Sequence, residues 1–363
     1  MKTFIFILLF LSFGVLHAQD IQTIDQAISQ ADQIAQKTYN DEKFPGLAIA
    51  VLSDGKIVWS KGYGYADIEN QLKVDPSRHL FRIGSISKSF TAVGLAQLYE
   101  SGKIDLHAEV QKYVPYFPKK EWPVIVKEVA HHVAGIRHYR GFEFLNNEKY
   151  ETIRQGVGIF ENDDLLFEPG TKYQYSSYGW NLISAVMEGA CECNFLDFMQ
   201  KNVFKKGKLK NSFADHNDIE MPNRVQFYIQ EEGVNKIAPS VDNSYKWAGG
   251  GFISTATDVA KFGHAVMHEK YTSAKTNQLF WTPYTLKNGK KTNYGLGWAV
   301  NEDQKGRPWV GHSGGSVGGT SMLLMYPEYD LVIVTLVNQS SAKMGNLAFR
   351  VANQFITFLE HNN

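Results

Sequence analysis

Two apolar runs, one toward each end of the chain, limit what it can fold into. FPGLAIAVLS begins at residue 44, and LVIVTLVN covers 331–338. Both are rich in the Val, Ile and Leu that favour strands. The first leads through Ser53-Asp54-Gly55-Lys56 into KIVWSKGYGYAD, and an Asp-Gly centre between two such runs predicts a hairpin. YGLGWAV (294–300), RPWVGHS (307–313) and GTSMLLMYP (319–327) add three more short strand-like runs before the last one. Helical spacing marks residues 21–41, where Ile21, Ile24, Ile28, Ala31 and Ala35 recur, and also 85–100, 180–193 and about 341–359. Strands at both ends with helices between them predict an α/β (α+β) fold. One antiparallel sheet is built from both chain ends and flanked by helices, and a mostly helical region, about 105–245, is inserted. A cleft is expected where the two parts meet. With 363 residues, 44% of them hydrophobic, the chain can build one large core.

The first 18 residues fall outside that scheme. MKTFIFILLFLSFGVLHAQD carries Lys2, an apolar run from Phe4 to Leu16, and Ala18. The order of basic, apolar and small residues predicts a secretory signal peptide over 1–18, leaving 19–363 as the folded unit and placing the protein in the periplasm or outside the cell. An uncleaved anchor is the alternative. Lys plus Arg and Asp plus Glu balance at 37 each, which argues against nucleic acid as a partner. Only Cys191 and Cys193 are available for a disulfide, and a bridge across two residues would be strained in a helix, so both read as small apolar fillers. His131, His132 and His138 lack HExxH or CxxC companions, so neither a metal nor another cofactor is expected.

RIGSISKSFTAVGLAQLYESG, residues 82–102, carries the chemistry. Ser-x-x-Lys also occurs at Ser53–Lys56 and Ser340–Lys343, but only Ser85 and Lys88 open a largely apolar helix. At i and i+3 their side chains share one face. A serine becomes a nucleophile when a neighbouring base takes its proton, and burial makes a lysine such a base by disfavouring its cation. On this stretch alone, a capping serine and a lysine reaching solvent fit as well. Three further stretches accompany it: Tyr175-Ser176-Ser177 ahead of a helix, Lys246 to Phe262 with its Gly-rich turn, and His312-Ser313-Gly314-Gly315 on a late strand.

Together these motifs resemble the serine β-lactamase and penicillin-binding protein superfamily, on the branch of class C β-lactamases, D-Ala-D-Ala carboxypeptidases and related esterases. Ser85-Ile86-Ser87-Lys88 matches Ser-x-x-Lys. Tyr175-Ser176-Ser177 stands where the family often has Tyr-x-Asn, and His312-Ser313-Gly314 where β-lactamases have Lys-Thr-Gly and many relatives His-x-Gly. HHVAGIRHY and FEPGTKYQYSSYGWNL are similar to the mitochondrial β-lactamase-like serine proteins, a group associated with peptidase activity and filaments. The resemblance implies an acyl-enzyme on Ser85, with Lys88 and Tyr175 sharing general acid and base work. It implies an oxyanion hole from the N–H groups of Ser85 and Gly315. Substrate would meet Ser177, His312, Ser313, Gly314 and Gly315.

The departures from the family pattern shape the expected activity. Ser177 replaces an Asn that usually meets substrate, and His132-Val133-Ala134-Gly135 lacks two hydroxyls of the common His-Thr-Ser-Gly. His312 replaces a permanent lysine cation. With an ordinary pKa of about 6.5 it would be neutral at about pH 7 and would gain affinity for anionic β-lactams as pH falls through about 6.5. The implied activity is hydrolysis of a small-molecule or peptide substrate at an amide, peptide or ester bond, with poor turnover of penicillins and transient proximity to membrane or cell wall. A penicillin-binding sensor that stays acylated and a filament or interaction protein with a vestigial site are the other readings. The sequence sets no oligomeric state.

Overall fold

The computed structural model describes residue 21 and residues 23–362. The segment expected to be a signal peptide, 1–18, lies outside the described residues.

Seven strands form one antiparallel sheet. They are β1 (Gly46–Ser53), β2 (Lys56–Asp67), β3 (Leu72–Lys73), β4 (Ala299–Glu302), β5 (Pro308–Ser316), β6 (Gly319–Tyr326) and β7 (Leu331–Val337). Their spatial order is β3-β2-β1-β7-β6-β5-β4. The two chain ends therefore meet at the centre, with Leu47 opposite Val337 and Ser53 opposite Leu331. The expected sheet from both ends is borne out, and so is the hairpin, with Asp54 and Gly55 both at positive φ.

The central strands read as unbroken apolar runs because both faces are covered. Leu47, Ile49 and Val51 of β1 join Ile333 of β7 against the terminal helices, α1 (Ile24–Glu42) and the C-terminal Leu347–Asn362. Ala48, Ala50 and Leu52 face the other way, into the core shared with the middle of the chain. At the heart of that core lies α2 (Ile86–Glu100), with 12 of its 15 residues buried, so its N-terminus is held rather than frayed. Phe90 of α2 stacks on Phe262, ring centroids 3.8 Å apart.

Several expectations move. The buried stripe of α1 is Ala27, Ala31 and Ala35, with Ile24 and Ile28 only half-buried, because small residues let α1 lie close to the C-terminal helix. In YGLGWAV only Ala299 onward is strand. Gly297 sits at φ +83°, and a Cβ there would stand 2.6 Å from Ala92 and Trp180, so this stretch packs as a tight loop. The last helix starts at Leu347, since Ser341 and Gly345 adopt positive φ and break the run before it. The inserted region contains several short helices and one long one, α3 (Ser177–Cys191), but also strands at Ser212–Ala214, Tyr228–Glu231 and Val234–Ile237.

The cysteine reading is corrected outright. Cys191 and Cys193 form a disulfide, and they are half-buried and exposed rather than core fillers. The helical-strain objection fails because α3 stops at Cys191. Glu192 takes a left-handed conformation (φ 53°), which turns Cys193 back toward its neighbour.

Phe355, 1% exposed on the C-terminal helix, lies beside Trp59 of β2 with ring centroids 6.3 Å apart. Phe355→Ala is expected to lower stability by about 3–5 kcal/mol in urea unfolding. It should leave the site's chemistry intact in the folded fraction, since it lies on the opposite face of the sheet.

Candidate functional site

Ser85 is the residue immediately before α2, and it is the one position between Phe81 and Ala96 that is not fully buried. Its side chain makes no capping hydrogen bond, which removes the capping reading. Lys88 is 0% exposed, so it does not reach solvent either. Its Nζ lies 3.0 Å from Ser85 Oγ, 3.1 Å from Ser177 Oγ and 2.5 Å from the Gly249 carbonyl oxygen. No carboxylate pairs with it among the described residues. Burial, and then the nearby charge of Lys246, hold its pKa well below the usual lysine value. A neutral amine has two N–H groups and one lone pair. With the N–H groups given to Gly249 and Ser177, the lone pair faces the Ser85 hydroxyl.

Tyr175 supplies the opposite polarity. Its hydroxyl is buried without a well-aligned hydrogen bond, yet it lies near enough to Ser85 for that hydroxyl to favour its anion somewhat. Burial dominates and raises its pKa, keeping the phenol protonated. Lys88 Nζ sits 4.7 Å above its ring. The two groups are thus driven apart, one toward a free base and the other toward a retained acid.

Glycines bring the strand to the helix. A Cβ on Gly84 would stand 2.8 Å from Gly315 N, and one on Gly314 would collide with the Ile83 carbonyl and Ser321 Oγ. The backbones of Gly84 and Gly315 therefore lie against each other, which brings Gly315 close to Ser85. Ser321 Oγ donates to the Ile83 carbonyl at 2.8 Å, and buried Arg82 ties this segment to the β5–β6 turn (Val317 O, 2.9 Å) and to Asp215 (2.6 Å). Strand β4 pairs with β5 only as far as Gly311, so beyond it the outer edge of β5 has no strand partner among the described residues. Ser313 and Gly315 are exposed there, while His312 and Gly314 are buried.

His312 corrects the expected titration. It is 4% exposed, with Nδ1 2.5 Å from the Ser313 carbonyl oxygen and Nε2 2.8 Å from the Tyr294 hydroxyl. A carbonyl only accepts, so Nδ1 carries the proton and Nε2 accepts from Tyr294. Burial, and then the charge of Lys88, push its pKa down to about 3, so the window near 6.5 disappears. Both nitrogens already have protein partners. Ser177 Oγ likewise already accepts from Lys88 and lies beside the Tyr139 hydroxyl.

Sequence reasoning missed a ring of aromatic and imidazole groups around this centre. His132 Nδ1 accepts from Ser176 N–H (3.1 Å) and its ring lies 4.2 Å from that of Tyr175. His138 Nδ1 accepts from Ser177 N–H (3.1 Å), so the neutral ring carries its proton on Nε2. Burial lowers both, His138 to about 4. Lys246 is also buried, its Nζ above the rings of Phe144 (4.6 Å), Tyr245 (5.0 Å) and Tyr139 (5.5 Å), and burial brings it to about 7. HHVAGIRHY and KWAGGG hold these residues, but the first carries only a family resemblance and an absent metal motif and the second a Gly-rich turn, and neither spacing predicts that they converge on Ser85.

Two outcomes are expected. In imidazole nitrogen NMR, His312 stays neutral and Nδ1-protonated from about pH 8 to about pH 5. Lys246→Met removes a cation that lowers the Lys88 pKa, so the Lys88 pKa rises and less of it is neutral at a given pH. The acid limb of kcat/KM then moves to higher pH, read from initial rates across the pH range.

Comparison with known proteins agrees with this geometry. The sequence profile of the Beta-lactamase family matches residues 24–354. The serine beta-lactamase-like protein LACTB, mitochondrial, of Homo sapiens is 30% identical, over 91% of this chain and 80% of its own length. Among solved structures, a D-stereospecific amidohydrolase from a Streptomyces species superposes with a TM-score of 0.76 at 21% identity, covering 90% of this chain and 97% of that one. EstCE1, a hydrolase with promiscuous acyltransferase activity, gives 0.76 at 18% identity, covering 92% and 99%. The chain belongs to the Beta-lactamase family, within the serine β-lactamase and penicillin-binding protein superfamily, and is a serine hydrolase.

Proposed function

We propose that this hydrolase is exported and opens amide, peptide or ester bonds through an acyl-enzyme on Ser85, in the manner of D-Ala-D-Ala carboxypeptidases and esterases. The observation that carries this is the fully buried Lys88 amine, held between two serine hydroxyls and a carbonyl with no carboxylate beside it. Lys88 takes the Ser85 proton as Oγ bonds to the substrate carbonyl carbon. The Ser85 and Gly315 N–H groups receive the developing oxyanion. As the intermediate collapses, Tyr175 gives its proton to the departing amine or alcohol and is reprotonated from Lys88. Water then attacks the ester, its proton passing to Lys88 and from there to the departing Ser85 Oγ, so that Ser85 and the neutral amine are restored with one water consumed.

The substrate is engaged away from any terminal carboxylate. The strand position that would hold one carries His312, neutral and already bonded on both nitrogens. Penicillins and cephalosporins, which present such a carboxylate, should turn over poorly. The names of two structural neighbours, an amidohydrolase and an acyl-transferring hydrolase, fit carbonyl substrates of this kind. Export is favoured by the character of the first 18 residues and by the Cys191–Cys193 bridge, which persists in oxidising compartments.

A fluorophosphonate probe is expected to label Ser85 alone, and a library of neutral esters, peptides and D-amino-acid amides should reveal turnover that Ser85→Ala abolishes. Lys88→Ala and Tyr175→Phe should each lower kcat by orders of magnitude, and the double change should be little worse than the worse single one. Multiplicative losses would contradict a shared proton path. Labelling without turnover of any library member would favour the stably acylated sensor.

A further inference from the structure

At the end of the sheet remote from Ser85 lies a cluster that the hydrolytic chemistry does not use. His264 is on α4 (Ala256–Met267), and His268 follows directly as its cap. The i,i+4 spacing puts both imidazoles on one face of the helix, and their rings lie 4.1 Å apart. Asp330, in the turn between β6 and β7, aims its carboxylate at the pair, with Oδ1 2.7 Å from His268 Nε2 and 3.9 Å from His264 Nε2. One ligand atom from each of the three lies within 4.8 Å of the others. A third element borders them, since a Cβ on Gly55 of the β1–β2 turn would stand 3.6 Å from His264 Nε2. Its neighbour Asp54 adds negative charge to His264's surroundings.

We infer that His264, His268 and Asp330 form a binding site for a zinc-class divalent cation, with solvent completing the coordination. Two imidazoles and one carboxylate are a donor set that suits Zn²⁺, Co²⁺, Ni²⁺ or Cu²⁺, whereas Ca²⁺ and Mg²⁺ prefer oxygen alone. Ligand bonds of about 2.0–2.2 Å set neighbouring tetrahedral donors roughly 3.3–3.6 Å apart. The separations of 2.7 and 3.9 Å bracket that span, so small side-chain rotations close it. Side-chain exposures of 24% for His264, 52% for His268 and 33% for Asp330 leave an entry path and room for water. The two histidines ride on a helix packed against the sheet, and Asp330 is held at φ 44° by its turn, so the donors are preorganised. A bound cation would fasten the end of α4 to the β6–β7 turn.

The test uses the full chain stripped with a chelator and titrated with Zn²⁺ against a chromogenic zinc indicator. One equivalent should bind, and His264→Ala and Asp330→Asn should each weaken it by at least about tenfold, a loss that outer-shell changes alone can produce. Asn tolerates the left-handed conformation at this turn, so Asp330→Asn keeps the backbone. Tm without metal checks that each variant is folded. Co²⁺ should give the visible absorption of a nitrogen- and oxygen-ligated ion, and Zn²⁺ should raise Tm in the unaltered protein but not in the His264→Ala, His268→Ala double variant. Equal Zn²⁺ affinity and stoichiometry in that folded double variant would overturn the inference, as would failure of the unaltered protein to bind Zn²⁺ at all.

Discussion

The site rests on one arrangement, a lysine amine taken fully out of water and given only uncharged partners. A buried cation without a carboxylate is costly, so the amine sheds its proton instead. That loss turns an ordinarily cationic group into a base beside Ser85. Each surrounding feature serves to keep water and negative charge away from it. The apolar length of α2 seals it from below, the Gly249 carbonyl and Ser177 hydroxyl orient its hydrogens, and neutral His132, His138 and His312 add no countercharge. A carboxylate at position 177 would restore the cation and remove the base.

The same burial acts in the opposite sense on Tyr175. An acid and a base taken out of water move in opposite directions, so one apolar environment prepares both ends of a proton transfer. The scaffold's contribution is rigidity. Arg82 and Asp215 pin the segment before Ser85, and the glycine contacts set the distance between that segment and β5. Position and protonation are thus governed by different residues, which explains why so many groups around the reacting atoms touch each other rather than the cleft.

Much of this was legible in the sequence because it is local or periodic. Ser85 and Lys88 are three residues apart on a helix whose apolar character is plain, and the strands of the sheet announce themselves by composition. What was not legible arises through space or from single backbone angles. Nothing in the sequence says that the Gly249 carbonyl would meet Lys88, or that Tyr294, placed in a strand-like run, would occupy His312 Nε2. The disulfide turns on one left-handed residue, Glu192, which ends α3 two residues earlier than periodicity suggests. The His264–Asp330 cluster joins a helix to a turn more than sixty positions away, a separation at which spacing rules say nothing.

The pairing of β1 with β7 bears on how the molecule comes into being. Leu47 finds its partner Val337 only after nearly the whole chain has been made. Until then β1 has a bare edge and two apolar faces, and the hairpin it forms with β2 is too small to be stable alone. Closing so long a loop is slow, and waiting strands are prone to associate with other chains. The topology therefore delays completion of the sheet until most of the chain has been made. For a chain that must thread a membrane before it folds, that delay is a benefit; for one retained where it was synthesised, it would create a standing demand for chaperones.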